Sequence, residues 1–261
     1  MTFRSLDSLI QKWISIDNKH RDYVSVHEAL YPYINFRNSP IQFGRGERER
    51  FSFIRNTVPI EGAHIADIGG NTGFFTISYL LAGAQKVTYF ETEEVLCNFV
   101  DSACKHLGLR DRLEIINAPF NFQSDGQPVY DCLNLLNVIH HAGEDFAEEI
   151  NGIEVCREFM FYSLRETASY CKNLVMQMSF LWKGDPALPM FRNGTKAEMI
   201  GALDAELHRH YSFSAIGIYD CEDGVSRYSE LSAQNISRNS DYREFFNRPI
   251  FIMKSIVNGG V

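Results

Sequence analysis

The sequence predicts an α/β fold in which a mainly parallel sheet is covered by helices on both faces. Residues 64–76, HIADIGGNTGFFT, pass from an apolar run through a glycine-rich turn into a helix-compatible segment, the order strand, tight loop, helix start at which such folds hold nucleotides. Beyond them, short apolar stretches alternate with longer helix-compatible ones, as a doubly covered parallel sheet requires. The chain has 261 residues, 45% hydrophobic and 13% aromatic, enough for a substantial core.

From the start of the chain, Leu6, Leu9, Ile10, Trp13 and Ile14 recur at helical spacing, so residues 5–30 predict one or two helices. Residues 31–50 change character, with two prolines, two glycines, four aromatics and four arginines, and read as an irregular lead-in. Seven strands are expected at 64–67, 86–91, 113–117, 132–138, 174–179, 215–220 and 250–255, with helices near 73–81, 93–107, 145–170 and 195–208. A polar loop, not a helix, separates the last two strands, which predicts antiparallel pairing. There is no internal repeat and no low-complexity tract. The expected division is an N-terminal helical extension and lead-in, 1–58, followed by the sheet domain, 59–261.

Charge and cysteine content bound the function. A net charge of −8 gives an overall field that repels nucleic acid. The six cysteines include no CxxC pair, so buried reduced thiols are expected and a zinc site is not. No apolar run approaches the ~20 residues that span a bilayer, and the first residues carry no apolar signal region. The expectation is a soluble cytoplasmic protein without a membrane partner.

The glycine-rich turn narrows the ligand. A dinucleotide fingerprint needs glycine where this chain has Asn71 and Phe74. The pattern is instead Asp67-x-Gly69-x-x-x-Gly73, with Gly70 and Asn71 inside the turn. A carboxylate at that point is a poor neighbour for a pyrophosphate and a good one for a ligand bearing an amino group and a sulfonium. The segment resembles motif I of the class I S-adenosylmethionine (SAM)-dependent methyltransferases, a resemblance covering roughly 62–179.

The resemblance implies a seven-stranded Rossmann-like sheet with its last strand antiparallel, SAM as cofactor, and a set of site residues. Asp67, Gly69, Gly70, Asn71 and Gly73 would face the methionine portion. Glu91, two dozen positions on at the end of the second strand, would accept the ribose hydroxyls, with Thr92 beside it. Asn117, Ala118 and Pro119 would border the adenine, although the acid more common there is missing; Phe120 reads equally as an adenine contact or a core residue. Asn137, ending the fourth strand, would hold cofactor or loop backbone. Next come His140 and His141, each readable as a structural hydrogen-bonding group or as the base that takes a proton from a hydroxyl acceptor. His141 is preferred as farther from the sheet.

No metal is expected, because Asn137 stands where metal-assisted methylation would want an acid, and Glu144, Asp145, Glu148 and Glu149 read as an acidic helix start. For the acceptor, Arg37, Arg45 and Arg48 interleave with Tyr31, Tyr33, Phe36 and Phe43, and a second stretch carries Trp182, Lys183 and Arg192. Guanidinium forks favour phosphate and carboxylate. Glu47 and Glu49 leave open a solvated, salt-bridged segment. The expected function is O-methylation of a small-molecule acceptor, anionic or sugar-containing, such as a sugar phosphate, sugar nucleotide or natural-product intermediate. N-methylation, RNA methylation and a SAM-binding module without turnover are the alternatives.

Overall fold

Parallel strands covered on both faces need unbroken apolar runs, and the strands of this chain form where such runs occur. The computed structural model describes residues 6–16, 25–35, 45–126 and 128–257. They form two compact units, Met1–Phe51 with Pro59–Phe120 and Ser52–Val58 with Asn121–Val261.

In the first unit β1 (His64–Ile68), β2 (Lys86–Phe90) and β3 (Leu113–Ile116) run parallel with β2 in the middle, Asp67 lying opposite Tyr89 and Val87 opposite Leu113. Four successive residues of β1 and of β2 are buried, so both faces are covered. Helix α3 (Phe74–Leu81) joins β1 to β2 and α4 (Glu94–His106) joins β2 to β3. Helix α4 carries Glu94 in its first turn and Lys105 and His106 in its last, the charge order its dipole favours. The expected first helix is α1 (Leu6–Ser15); its Leu6, Leu9, Ile10 and Trp13 are buried and it packs on α4. The lead-in is more regular than expected. Residues Glu28–Tyr33 form 3-10 turns, and α2 (Glu47–Arg55) begins inside the arginine-rich stretch. Glu47 and Glu49 in its first turn and Arg55 in its last suit a helix, and a buried Glu47–Arg50 pair at 3.3 Å fixes its start.

In the second unit β4 (Tyr130–Leu136) pairs parallel with β5 (Cys171–Gln177), and β8 (Ile250–Ser255) pairs antiparallel with β5 and with β6 (Tyr211–Glu222). The antiparallel pairing of β6 and β8 is as expected. An eighth strand, β7 (Val225–Glu230), was missed in the expected polar loop and forms a hairpin with β6. Its sequence VSRYSE buries only Tyr228, so it lacks an apolar signal. The Asp223-Gly224 turn, with φ of 51° and 78°, was the readable cue.

Helix α5 (Ile153–Thr167) starts later than expected. Residues 145–152 are irregular apart from turns, which corrects the reading of Glu144–Glu149 as a helix start. Helix α6 (Lys196–Leu207) is capped by Thr195, whose side chain accepts from the Glu198 N–H, and α7 (Glu244–Asn247) is a single turn.

Five cysteines are buried and free, while Cys221 is exposed. Burial pushes the Cys104 and Cys171 thiols up to about 12, so they stay protonated at neutral pH. No described helix is long and apolar enough to cross a membrane.

Candidate active site

The turn after β1 is built from the inside out. Asp67 is 1% exposed, and its Oδ2 accepts from the Thr76 hydroxyl on α3 at 2.6 Å. It therefore anchors the helix to the strand instead of facing a ligand as expected. Gly70 lies so close to β2 that a Cβ there would stand 2.5 Å from the Tyr89 ring. Gly73 has φ +73° and a Cβ on it would meet Val100 at 2.6 Å. Asn71 takes the left-handed conformation at φ 50°, which asparagine tolerates better than most residues, and its Oδ1 accepts from the Thr72 N–H at 2.7 Å. The outer side of the turn is open: Gly69 is exposed, and Gly70 and Asn71 are half-buried.

Glu91 sits immediately beyond β2 and ties the strand ends together. Its Oε2 accepts from the Asn71 N–H at 3.0 Å, and its Oε1 from the N–H groups of Thr92 at 2.8 Å and Glu93 at 3.1 Å. Burial raises the Glu91 carboxyl above its ordinary range against the pull of those three donors. The Tyr89 hydroxyl donates to the Asn71 carbonyl. After β3, Asn117 Nδ2 donates to the carbonyls of Glu91 and Thr92, both at 2.9 Å. Thus Asn71, Glu91, Thr92 and Asn117 are brought together. Ala118 and Pro119 follow, half-buried and exposed. Phe120 is a core residue, buried edge-on against Phe90 at 4.9 Å.

The lead-in meets the same turn at one point, where the Thr72 hydroxyl donates to the Ser25 carbonyl. His27 packs on Phe74 at 5.0 Å, and burial lowers its imidazole below the ordinary value. Arg48 is 3.4 Å from Glu28 and Arg50 3.3 Å from Glu47, and the main-chain N–H of Arg45 donates to Glu47, so the arginine and glutamate side chains of this segment are partly paired. Tyr33 stacks on His106, the last residue of α4, at 5.3 Å. That is the opposite end of a 13-residue helix, about 18 Å from Glu94, which removes Tyr33 from the expected site. Arg37 lies outside the described residues. A surface depression of about 330 Å³ lined by His64, Lys86, Arg112 and Leu113 lies at the amino ends of β1–β3. Open α/β sheets bind ligands at the other end.

The second unit carries the histidine loop. Asn137, at φ 62°, donates through Nδ2 to Gln177 Oε1 at 2.9 Å and accepts at Oδ1 from Arg248 at 2.7 Å. It anchors the loop after β4. His140 is 1% exposed and its Nδ1 accepts from the Ser179 N–H at 3.3 Å, a structural role. His141 is half-buried, and its Nδ1 lies 3.1 Å from Glu144 Oε2 and 3.6 Å from Asp145 Oδ2. A proton on Nδ1 shared with Glu144 leaves Nε2 with its lone pair. His141, Glu144 and Asp145 also set one ligand atom each within 4.8 Å of one another.

Trp182 and Lys183 brace this loop. The indole is 6% exposed and donates to the Ala142 carbonyl at 2.8 Å, while Lys183 Nζ donates to the Gly143 carbonyl at 2.8 Å. Trp182 is therefore a support, not the open acceptor wall expected of it. Arg192 is exposed.

Sequence reasoning missed Glu244 and Arg248. Glu244 accepts from the Ser179 hydroxyl at 2.8 Å and the Phe180 N–H at 3.0 Å, and is paired with Arg248, which reaches Asn137. Burial alone would raise the Glu244 carboxyl, but the Arg248 hydrogen bonds and charge, with the Phe180 and Ser179 donors, hold it below the usual range. These residues lie more than sixty positions from Ser179, so nothing local marks them.

No family model matches the chain, and no curated protein matches it. Among solved structures, the bifunctional kinase-methyltransferase WbdD aligns with a TM-score of 0.57 at 13% identity over 95% of this chain and 46% of that one; the chain spans about half of WbdD. Magnesium protoporphyrin IX methyltransferase from Synechocystis PCC 6803, with bound SAM, aligns at a TM-score of 0.49 and 13% identity over 80% of this chain and 78% of that one. A putative RNA methyltransferase from Pyrococcus horikoshii gives 0.46 and 14% over 99% and 100%. The chain has the class I, Rossmann-like methyltransferase fold, with eight strands among the described residues where seven were expected.

Proposed function

We propose that this chain is a SAM-dependent methyltransferase that methylates an oxygen of an anionic or sugar-containing small molecule. The observation that carries the reading is the hydrogen bond from the motif I turn, at Asn71, to the acid ending β2, Glu91. The donor set fits the group. The acid at Glu91, beside the open backbone between β1 and α3, suits the hydroxyls of a ribose better than a pyrophosphate. The turn at Gly69–Gly73 would hold the methionine portion, Glu91 the ribose, and Asn117 to Pro119 the adenine edge. When bound, SAM supplies an electrophilic methyl group on a sulfonium.

His141 is the residue we assign to the acceptor's proton. Methyl transfer to a hydroxyl forms a C–O bond, breaks the S–C bond, and releases one proton, which Nε2 of His141 takes up. Glu144 on Nδ1 fixes the tautomer and stabilises the imidazolium that results. An already anionic acceptor oxygen needs no base, and His141 then only orients it. Residues 59–261 are taken as the SAM-binding domain and 1–58 as its N-terminal extension.

Calorimetry with SAM and S-adenosylhomocysteine, followed by labelled-methyl transfer to a panel of sugar phosphates, sugar nucleotides, neutral phenols and RNA, tests the reading. Micromolar affinity and transfer to the anionic sugars are expected. No affinity for either nucleoside overturns it, and transfer to RNA or to neutral phenols alone overturns the acceptor class.

A further inference from the structure

Beyond the end of β5 the second unit holds two cations, Lys196 and Arg238, that form no ion pair among the described residues. Lys196, the first residue of α6, is 3% exposed. Its Nζ donates to the carbonyls of Asn235 at 3.2 Å and Ser237 at 2.9 Å. In return, Arg238 donates to the Gly194 carbonyl at 3.1 Å and lies over the Phe180 ring at 4.6 Å. The two segments clasp each other through cations on both sides. Neither Lys196 nor Arg238 forms an ion pair with a carboxylate among the described residues.

A buried ammonium that meets only carbonyl dipoles is an expensive arrangement. Two carbonyl acceptors take two of its three N–H donors. The acids nearest this cluster have other partners: Glu244, against the Phe180 N–H, is paired with Arg248. Glu198 accepts from the Asn193 N–H at 2.8 Å, and Asp220 accepts from the Cys221 N–H at 3.0 Å and faces Arg227 at 3.7 Å. Burial lowers the Lys196 ammonium, and the Arg238 charge adds to the effect against Asp220. Arg192 is exposed two residues before Gly194 and has no hydrogen bond or ion pair among the described residues.

The position matters as much as the charge. Gln177, the last residue of β5, pairs with Ile250, the first of β8. The segment after β5, the start of α6 and the segment before β8 therefore share the carboxyl edge of β5, where open α/β sheets take ligands.

We propose that Lys196, Arg238 and Arg192 form an anion subsite that takes the phosphate group of the acceptor. The proposal rests on the methyltransferase reading for the acceptor's role, while anion binding itself does not. The exposed Arg238 guanidinium would hold phosphate oxygens, Arg192, two residues before Gly194, would add a second guanidinium, and Lys196 would contribute its charge. Phe180, under Arg238, holds that guanidinium in place.

Inorganic phosphate is the probe. Titration into the full chain without SAM, by calorimetry and by thermal denaturation at constant ionic strength against chloride, is expected to give saturable binding. Arg238→Gln and Arg192→Gln should each weaken it by about tenfold or more while leaving SAM affinity unchanged. Lys196→Met also removes the bonds that tie α6 to residues 235–237, so the exposed arginines carry the test. Glycerol 3-phosphate should displace the inorganic ion, as expected of a subsite for a phosphate monoester. A site for free phosphate only would bind the inorganic ion and reject the ester, and that result overturns the proposal. So does binding no stronger than the chloride control, or binding that survives loss of both arginines. Absence of SAM affinity alongside intact phosphate binding defeats the methyltransferase reading and leaves the anion site standing.

Discussion

The main-chain N–H of Asn71 donates to Oε2 of Glu91 at 3.0 Å, so the turn leaving β1 and the acid ending β2 are one unit. Two further N–H groups, those of Thr92 and Glu93, meet the other oxygen. Glu91 thus shapes the turn in addition to any bond it offers a ribose. Glu91→Ala leaves three backbone donors without their acceptor and should weaken SAM binding by about a hundredfold or more. Glu91→Gln keeps an acceptor oxygen and should weaken it less. Calorimetry on both variants checks the order; equal affinities for wild type and Glu91→Ala would contradict it.

The two histidines differ in surroundings, and the proposed roles follow that difference. His140 is buried with Nδ1 on the Ser179 N–H, and His141 is half-buried with Nδ1 on Glu144. His141→Ala should lower kcat by about 10²–10⁴-fold at unchanged SAM affinity, and Glu144→Gln by less. His140→Ala should lower Tm. Turnover and Tm measured on the same preparations decide it, and an inactive but fully stable His140→Ala would reverse the assignment.

Glu244 and Arg248 clamp the loop after β4 to the segment after β5 through Asn137 and Ser179. Breaking this partly buried pair with Glu244→Gln should cost about 2–3 kcal/mol at pH 7. Because the folded carboxyl titrates below its ordinary 4.5, its stabilisation is present above that value and is lost as pH falls through the folded pKa. Urea unfolding of wild type and variant should therefore converge in acid. A gap that persists once the folded carboxyl is protonated would point to another cause.

Gly73 combines φ +73° with Val100 at 2.6 Å from the position of a Cβ. Gly73→Ala should destabilise by about 2–4 kcal/mol, from the left-handed backbone and the clash together. Val100→Ala in the same chain should recover the clash and not the backbone cost. A double-mutant cycle by denaturant melts measures the coupling.

Asn71 occupies the left-handed region without being glycine. Asn71→Ala should cost about 1 kcal/mol or more, and Asn71→Gly less, since glycine keeps the conformation and loses only the bond to the Thr72 N–H. Thermal melts rank the three proteins.

Much of this architecture was legible along the chain. Seven strands, the helices around them and the antiparallel end follow from apolar runs and their spacing, because burial on a sheet or helix face leaves a short-range periodic trace. The turn at 67–73 was legible for the same reason: glycine spacing records backbone conformation residue by residue. Strand β7 was not, since a mostly exposed edge strand needs no apolar residues. The start of α5 was misread because acids before a helix and acids within its first turn look alike.

By itself the sequence determined the fold class and the glycine-rich turn by local pattern, while Asn71, Glu91 and Asn117 entered only as what the family resemblance implies. Only the tertiary structure decided what the side chains do there. It turned Asp67 inward to Thr76, spent Trp182 on the Ala142 carbonyl, moved Tyr33 to the far end of α4, and brought Arg248 to Asn137. Each of these depends on which distant backbone donor or acceptor lies within about 3 Å, a quantity with no footprint in neighbouring residues.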